Sequence, residues 1–233
     1  LEAPDEVIYF DKVDMEQKSD KPTWVADVDY KPTVNTMVYA KYARGYRQGS
    51  VNPAGQHPAP GEESGTRIDI HGPEEVDTYE LGSKNSFEGR FPGIFNIAAF
   101  YNDFRDQQLQ QGILTSNGTG STAIVNAGKS RIWGVEIESN VYVTDNLQLG
   151  LAYTYLNTEV LELEDFSALV AAAGATPAAL STSEGEQLPY SPESQAVVNA
   201  RYTVPVPADY GDVELGATYV YFDDQLAVSE TVS

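Results

Sequence analysis

Residues 126–159 contain two long runs in which apolar and polar side chains alternate, separated by a hinge at 144–147. The polar parity of the first run carries two carboxylates, Glu136 and Glu138. Its apolar parity carries large side chains, namely Trp133, Val135, Ile137, Val141 and Val143. Successive side chains of a β-strand point to opposite faces, so this alternation predicts a long antiparallel hairpin with one apolar and one polar face.

The apolar face of such a hairpin can be covered in two ways. A soluble β-sandwich buries it against a second sheet, whereas an outer-membrane β-barrel turns it toward lipid. The mean hydropathy of −0.35 is typical of a water-soluble chain. It does not decide between the two, because barrel strands alternate and average to mild hydropathy.

The connections between the predicted strands alternate in length. Short turns are predicted at 31–36, 85–92, 144–146 and 205–212, and long loops at 47–73, 109–124 and 160–191. Outer-membrane barrels have short periplasmic turns and long extracellular loops. We therefore predict an all-β fold, an antiparallel up-and-down meander of about eight long strands that forms a segment of a large transmembrane β-barrel. Within the last long loop, a short helix is predicted through residues 169–173, capped by Asp165 or Ser167 and closed by Gly174.

Composition and motifs limit the chemistry of the chain. The net charge is −21, from 35 acidic and 14 basic residues, so nucleic acid is not an expected partner. There is no cysteine, which excludes thiol catalysis and cysteine-ligated metals. Loop residues His57 and His71 could ligate a metal together with nearby glutamates, although loop histidines are more often simply solvated. Because no nucleophile elbow, phosphate loop or dinucleotide fingerprint is present, we predict neither a catalytic site nor a cofactor.

Five segments carry a family resemblance. They are MVYAKYARGYRQG (37–49), EEVDTYELGSK (74–84), IAAFYNDFRDQQLQ (97–110), NAGKSRIWGVEIESNVYVTDNLQLGLAYTY (126–155) and LPYSPESQAVVNARYTV (188–204). In this order and spacing they resemble the barrel of TonB-dependent outer-membrane receptors, over residues 22–224. The resemblance implies a large antiparallel barrel filled by an N-terminal plug domain. It also implies uptake of ferric siderophores, cobalamin or carbohydrates, with energy supplied by the TonB protein.

The resemblance also suggests how the chain is organised. We assign residues 1–22 to a loop-like lead-in, 23–224 to a partial receptor barrel, and 225–233 to a truncated loop or the start of another strand. The matched part resembles the middle-to-late barrel, and no segment resembles a plug. An open barrel segment would leave two unpaired edges. We therefore interpret the chain as a piece of a longer polypeptide.

Two sets of residues are candidates for functional roles. Arg44, Arg47 and Gln48 stand where a strand enters a long loop, and guanidinium groups there could bind the carboxylates of an anionic ferric chelate. The alternative is that these arginines pair with loop carboxylates. The residues predicted to face a water-filled lumen are Glu80, Lys84, Glu136 and Glu138. Charge on a lipid-facing surface is costly, which favours the lumen over the opposite face.

The sequence thus predicts part of a Gram-negative outer-membrane receptor for TonB-energised uptake of a scarce solute, and not an enzyme. Expected partners are a small-molecule ligand such as an iron chelate, TonB through a plug domain outside this chain, and outer-membrane lipid. The alternative is a soluble or surface-exposed antiparallel β domain that binds glycan or protein in adhesion. A membrane barrel requires an uncovered apolar band about 25 Å tall, whereas a sandwich requires that face to be buried.

Overall fold

The computed structural model describes residues 16–52, 70–114, 120–126, 128–163, 176–177, 184–207, 209 and 211–226. Most of the predicted lead-in, His57 and the predicted helix at 169–173 lie outside these residues. Among the residues that the structure describes, no helix is long and apolar enough to cross a membrane.

Eight long β-strands form one sheet. They are β1 (Trp24–Thr33), β2 (Thr36–Arg47), β5 (Glu74–Phe87), β6 (Gly93–Arg105), β9 (Gly128–Thr144), β10 (Leu147–Leu163), β12 (Ser194–Val204) and β13 (Val213–Phe222). Five short strands lie in the long connections, namely β3 (Ser50–Val51), β4 (Ile70–His71), β7 (Gln108–Leu114), β8 (Gly120–Asn126) and β11 (Thr176–Pro177). The sheet order is β1-β2-β5-β6-β9-β10-β12-β13, with antiparallel neighbours throughout. The predicted eight-stranded meander is confirmed.

Short turns and long connections lie at opposite ends of the sheet. At the turn between β9 and β10, the hydroxyl oxygen of Thr144 accepts hydrogen bonds from the backbone N–H groups of Asn146 at 3.3 Å and Leu147 at 3.0 Å. A threonine that satisfies the turn's amides in this way favours chain reversal. The long connections from β2 to β5, β6 to β9 and β10 to β12 all leave from the other end, as predicted.

The register gives the sheet one apolar and one polar face, because directly opposed residues project to the same side. Residues on the apolar face include Val28, Tyr79, Leu81, Ile97, Trp133, Leu151, Val198 and Tyr219. These side chains are all exposed, with Leu81 at 63% and Tyr219 at 65%. In the described part of the chain, no second sheet packs over this face. The architecture is therefore not a soluble sandwich.

The apolar face has a sharp boundary at the long-loop end. An aromatic row crosses four strands there, formed by Tyr42, Tyr79, Tyr101 and Trp133. One step farther toward the loops lies a charged row, formed by Arg44, Asp77, Asp103, Arg131 and Glu159. Aromatic girdles mark membrane interfaces, and charges are excluded from the hydrocarbon. The boundary of an apolar membrane band thus falls between these two rows.

The height of the apolar band fits an outer membrane. It runs along β9 from Trp133 to Val143, which corresponds to about 33 Å of strand at roughly 3.3 Å per residue. With a strand tilt of roughly 40°, the band is about 25 Å tall, as in transmembrane barrels. Beyond it, β9 and β10, each 17 residues long, extend toward the loops.

One local prediction is wrong. Residues 109–114 and 120–124, which fall within a predicted long loop, belong to an antiparallel hairpin of β7 and β8, although the Gly, Ser, Thr and Asn content of this stretch is typical of a loop. Strand β6 ends at Arg105. The next residue, Asp106, has a φ of +50°, a left-handed conformation that aspartate tolerates and that turns the chain out of the sheet.

Candidate functional site

The polar face holds a charged cluster at the middle of the strands. Glu80 pairs with Lys41 and accepts a hydrogen bond from the hydroxyl of Tyr39 at 2.6 Å. The ammonium of Lys84 lies 5.7 Å from the centre of the Tyr39 ring. The cluster thus combines an ion pair with a cation–π contact on one accessible surface.

The four residues predicted to face a lumen share this polar face. Glu80 and Lys84 lie on β5, and Glu136 and Glu138 lie two strands away on β9. Glu138 accepts a hydrogen bond from the side-chain amide of Asn96 at 3.1 Å, while Glu136 is exposed. The structure therefore places all four on the side opposite the apolar band. That this side lines a lumen stays a prediction.

A glycine makes the charged cluster possible. An added Cβ at Gly82 would lie 2.5 Å from the ring of Tyr39, so the ring lies directly over the Gly82 backbone. In this position the Tyr39 hydroxyl reaches Glu80 on the neighbouring strand. Any side chain at Gly82 would have to displace the ring.

Arg44 lies on the same face as the apolar band, in the charged row. Its guanidinium donates from Nε and Nη2 to the two carboxylate oxygens of Asp77, at 2.6 and 2.5 Å. Asp77 also accepts hydrogen bonds from Arg105 at 2.5 Å and from the Tyr42 hydroxyl at 2.9 Å. Arg44 further stacks over the indole of Trp24, 4.9 Å from its centre. This placement favours the ion-pair alternative for Arg44.

Arg47 and Gln48 lie together at the entrance to the first long connection. Arg47 pairs with Glu74 at 2.9 Å and also donates to the backbone carbonyl of Gln108 at 3.1 Å. The side-chain amide of Gln108 donates to the carbonyl of Gln48 at 3.0 Å. Arg47 has a half-exposed side chain, 57% accessible, so it can still meet a solute. A ligand-binding role for these two residues stays a prediction.

Asp77 and Gln108 were not predicted from the sequence. Asp77 binds Arg44 and Arg105, and the backbone carbonyl of Gln108 binds Arg47. Asp77 falls on the apolar parity of its strand, two residues before Tyr79. A carboxylate at such a position signals the end of the apolar band and the need for a basic partner. Gln108 gave no comparable signal, because its role depends on contacts with residues about sixty positions earlier in the chain.

His71 is buried in the first long connection rather than solvated. It is 5% exposed, and its Nδ1 has no hydrogen-bond partner. Burial, and secondarily the positive charge of Arg47, lower the pKa of His71 below its ordinary value. No group of three His, Cys, Asp or Glu residues lies close enough to hold a metal ion within the described ranges.

The third long connection is anchored over the polar face. Its residues around Leu188 cover the upper part of β10, where Val160 is 1% exposed. The backbone N–H of Leu188 donates to the hydroxyl of Thr158 at 2.9 Å, and the N–H of Val160 donates to the carbonyl of Glu186 at 2.9 Å. A small apolar core therefore forms at the loop end of the polar face.

With this architecture established, comparison with known proteins identifies the family. The family model for the TonB-dependent receptor-like β-barrel matches residues 8–231, and the chain belongs to this family. Its members are outer-membrane receptors and transporters rather than enzymes.

Two sequence relatives carry names that refer to siderophores. The chain is 29% identical over 145 residues to PiuA of Acinetobacter baumannii, a probable TonB-dependent siderophore receptor, in a match that covers 61% of this chain and 18% of PiuA. It is 38% identical over 89 residues to a ferric-pyoverdine receptor, PbuA, of a Pseudomonas species, a match that covers 38% of this chain and 10% of PbuA. The chain therefore matches only a small part of each relative.

Solved structures agree on the fold. The crystal structure of PiuA from Acinetobacter baumannii matches with a TM-score of 0.57 and 25% identity, over 86% of this chain and 26% of that one. The ferric yersiniabactin uptake receptor FyuA from Yersinia pestis matches with a TM-score of 0.57 and 20% identity, over 88% of this chain and 27% of that one. The FyuA likeness shows the fold alone.

Proposed function

We propose that the chain forms part of an outer-membrane receptor for the TonB-dependent uptake of ferric siderophores. Apolar side chains of its sheet meet lipid, and the long connections lie on the outside of the cell. The polar face lines the barrel interior. A plug domain elsewhere in the receptor fills that interior and receives energy from TonB.

The boundary between the aromatic and charged rows carries this proposal. It lies at the long-loop end of the sheet, where Asp77 is the next residue after Tyr79 on the same face in the direction of the loops. A membrane with that boundary leaves all three long connections on one side, as in receptors that capture solutes outside the cell. PiuA and PbuA, whose names refer to siderophores, support a ferric siderophore over cobalamin or carbohydrate.

The edges of the sheet support a longer receptor. In the described residues, β1 pairs only with β2, and β13 only with β12. Unpaired backbone groups are untenable in hydrocarbon. Further strands of the same polypeptide are therefore expected to pair with Trp24–Thr33 and Val213–Phe222 and close the barrel.

The test uses the full-length receptor in an outer membrane. Cells that carry it should accumulate iron-55 from a panel of ferric siderophores, and loss of TonB should abolish the accumulation. Purified receptor should bind the iron-loaded form of the same siderophore. The iron-free form of that siderophore serves as the control. Uptake of cobalamin or a carbohydrate instead would contradict the siderophore assignment, and uptake without TonB would contradict the mechanism.

A further inference from the structure

We infer that the long connections are clamped together by the side-chain amides of Asn52, Gln108 and Asn126, and move as one body when a ligand is captured. The clamp joins the described residues of the first loop (48–52 and 70–73) to those of the second loop (106–114 and 120–126). This inference rests on the proposed function, because it names positioning residues for the capture step.

Asn52 forms a reciprocal pair with the backbone of the second loop. Its side-chain amide donates to the carbonyl of Ile124 at 2.8 Å, and its side-chain oxygen accepts from the N–H of Ile124 at 2.9 Å. Ile124 lies on β8, at the edge not paired with β7. The carboxamide of Asn52 thus occupies the place where a peptide group of a neighbouring strand would pair.

Asn126 forms the mirror-image contact, from the second loop to the first. Its side-chain oxygen accepts from the N–H of Gly72 at 2.6 Å, and its amide donates to the carbonyl of Gly72 at 3.0 Å. The same amide also donates to the carbonyl of Asp106 at 2.8 Å. Asn126 therefore holds both ends of its own loop and the returning strand of the first loop.

Gln108 joins the clamp to the candidate ligand-binding residues. Its side-chain amide donates to the carbonyls of Gln48 at 3.0 Å and Gly72 at 2.9 Å, on the two arms of the first loop. Its backbone N–H donates to Glu74 at 2.7 Å, and the same carboxylate pairs with Arg47. The position of Arg47 and Gln48 thus depends on the second loop.

One member of the clamp is shielded from water. Asn52 is 7% exposed, whereas Gln108 and Asn126 are half-buried. A buried amide that loses its partner cannot exchange it freely for water. Separation of the two loops would therefore leave the buried carboxamide of Asn52 unsatisfied, which favours joint movement.

The third loop is attached from the other side. Strand β11 pairs with β7 through Thr176 opposite Leu114 and Pro177 opposite Ile113, so the sheet order is β11-β7-β8. The first loop contacts the free edge of β8, and the third loop contacts the free edge of β7. The second loop is thus the central piece to which both neighbours are fastened.

Hydrogen exchange on the full-length receptor in lipid, without ligand, tests the clamp. Asn126→Leu removes the amide but keeps its approximate volume, and the backbone amides at 48–52 and 70–72 should then exchange about tenfold faster. Asn140→Leu is the matched control on the polar face of β9, distant from the loops, and should leave these amides unchanged. Unchanged exchange in Asn126→Leu, in a receptor that stays folded, would overturn the proposal.

A disulfide separates positioning from a merely structural role. A Cβ at Gly72 would lie 3.4 Å from Oδ1 of Asn126, and the chain has no cysteine of its own. In the double variant Gly72→Cys with Asn126→Cys, the two sulfur atoms would replace this contact, and mass spectrometry verifies that the disulfide has formed before binding is measured. When reduced, it should bind the ferric siderophore about tenfold more weakly than wild type. When oxidised, it should regain wild-type affinity and exchange protection.

The outcomes of the disulfide experiment are distinct. If the oxidised receptor loses siderophore binding while the reduced form keeps it, the loops must separate during capture and the inference fails. If neither wild type nor variant binds any ferric siderophore, the proposed function fails. In that case the exchange measurement still decides whether the loops form one body.

Discussion

Replacing Leu151 by arginine tests which face of the sheet meets lipid. Leu151 lies opposite Ser139 on β9 and Val198 on β12. Ser139 is six residues along β9 from Trp133, which belongs to the aromatic row. At roughly 3.3 Å per residue and a strand tilt of roughly 40°, these six residues place Leu151 about 15 Å from that row along the membrane normal. The band is about 25 Å tall, so Leu151 lies close to its middle.

The expected cost of this arginine follows from its depth. Arginine near the midplane of a barrel's lipid face destabilises by about 2–4 kcal/mol, and near an interface by about 0–1 kcal/mol. Leu147→Arg, on the same face at the short-turn end of β10, should therefore cost much less. Ala152→Arg provides the opposite-face control, because residue 152 lies across from Glu138 on the polar face, where an arginine can pair.

The assay is the free energy of unfolding of the full-length receptor in lipid vesicles, measured by reversible denaturant titration of each variant. We expect the free energy of unfolding to be lowest for Leu151→Arg, clearly higher for Leu147→Arg, and close to that of wild type for Ala152→Arg. Equal destabilisation by Leu151→Arg and Ala152→Arg would refute the assignment of faces. A larger cost at Leu147 than at Leu151 would refute the placement of the band.

Three further predictions concern individual side chains. Arg47→Ala should weaken binding of the ferric siderophore about tenfold, because a charged donor at the entrance to the first long connection is lost. Arg44→Ala should change the affinity less than about twofold. Titration of purified receptor with the siderophore measures both affinities, and a larger loss in Arg44→Ala would exclude Arg47 as a ligand contact. The pKa of His71 is lower in the folded loop than its ordinary value, so the unfolded loop binds a proton more readily. Protection of the loop amides from hydrogen exchange should therefore be complete above a pH of about 6.5 and decrease at lower pH. Exchange rates corrected for their intrinsic pH dependence should show this decrease, and His71→Gln should abolish the decrease. Gly82→Ala should destabilise the receptor by about 1–3 kcal/mol, because the new Cβ meets the ring of Tyr39. Gly216→Ala should not destabilise it, since nothing lies within 4 Å of a Cβ at that position. Equal melting temperatures of the two variants would refute the close contact at Gly82.

The alternation of side chains was sufficient to predict the faces of the sheet. A β-strand has a period of two, so the Trp133 and Glu136 parities must separate wherever the strand is regular. The lengths of the connections then predicted which neighbours pair. Neither argument needed information about distant contacts, which explains why the meander could be predicted from the sequence.

The interactions of the loops depend on distant contacts and could not be predicted in this way. The hairpin of β7 and β8 mixes polar pairs, such as Gln108 with Asn126, with apolar pairs, such as Leu109 with Val125, and it lies within a stretch rich in Gly, Ser, Thr and Asn that is typical of a loop. Asn52 contacts a residue 72 positions later in the chain, and nothing local to it indicates a partner. The sequence left Arg44 with two possible roles, ligand binding or an ion pair, because its pairing with Asp77 becomes evident only with the register of β2 on β5.

The positions of the buried side chains explain why the loops need contacts with one another. The buried aliphatic and polar side chains of the described residues are Val125, Val160, Leu188, Asn52, His71, Glu74, Asp77, Ser130 and Thr158. All of them lie at the loop end of the aromatic row or beyond it. On the short-turn side of that row, the described part of the sheet buries none of these side chains, so its apolar face requires lipid as its environment. The loops project past the lipid and must obtain their stability from one another, which is what the reciprocal amide contacts of Asn52 and Asn126 provide.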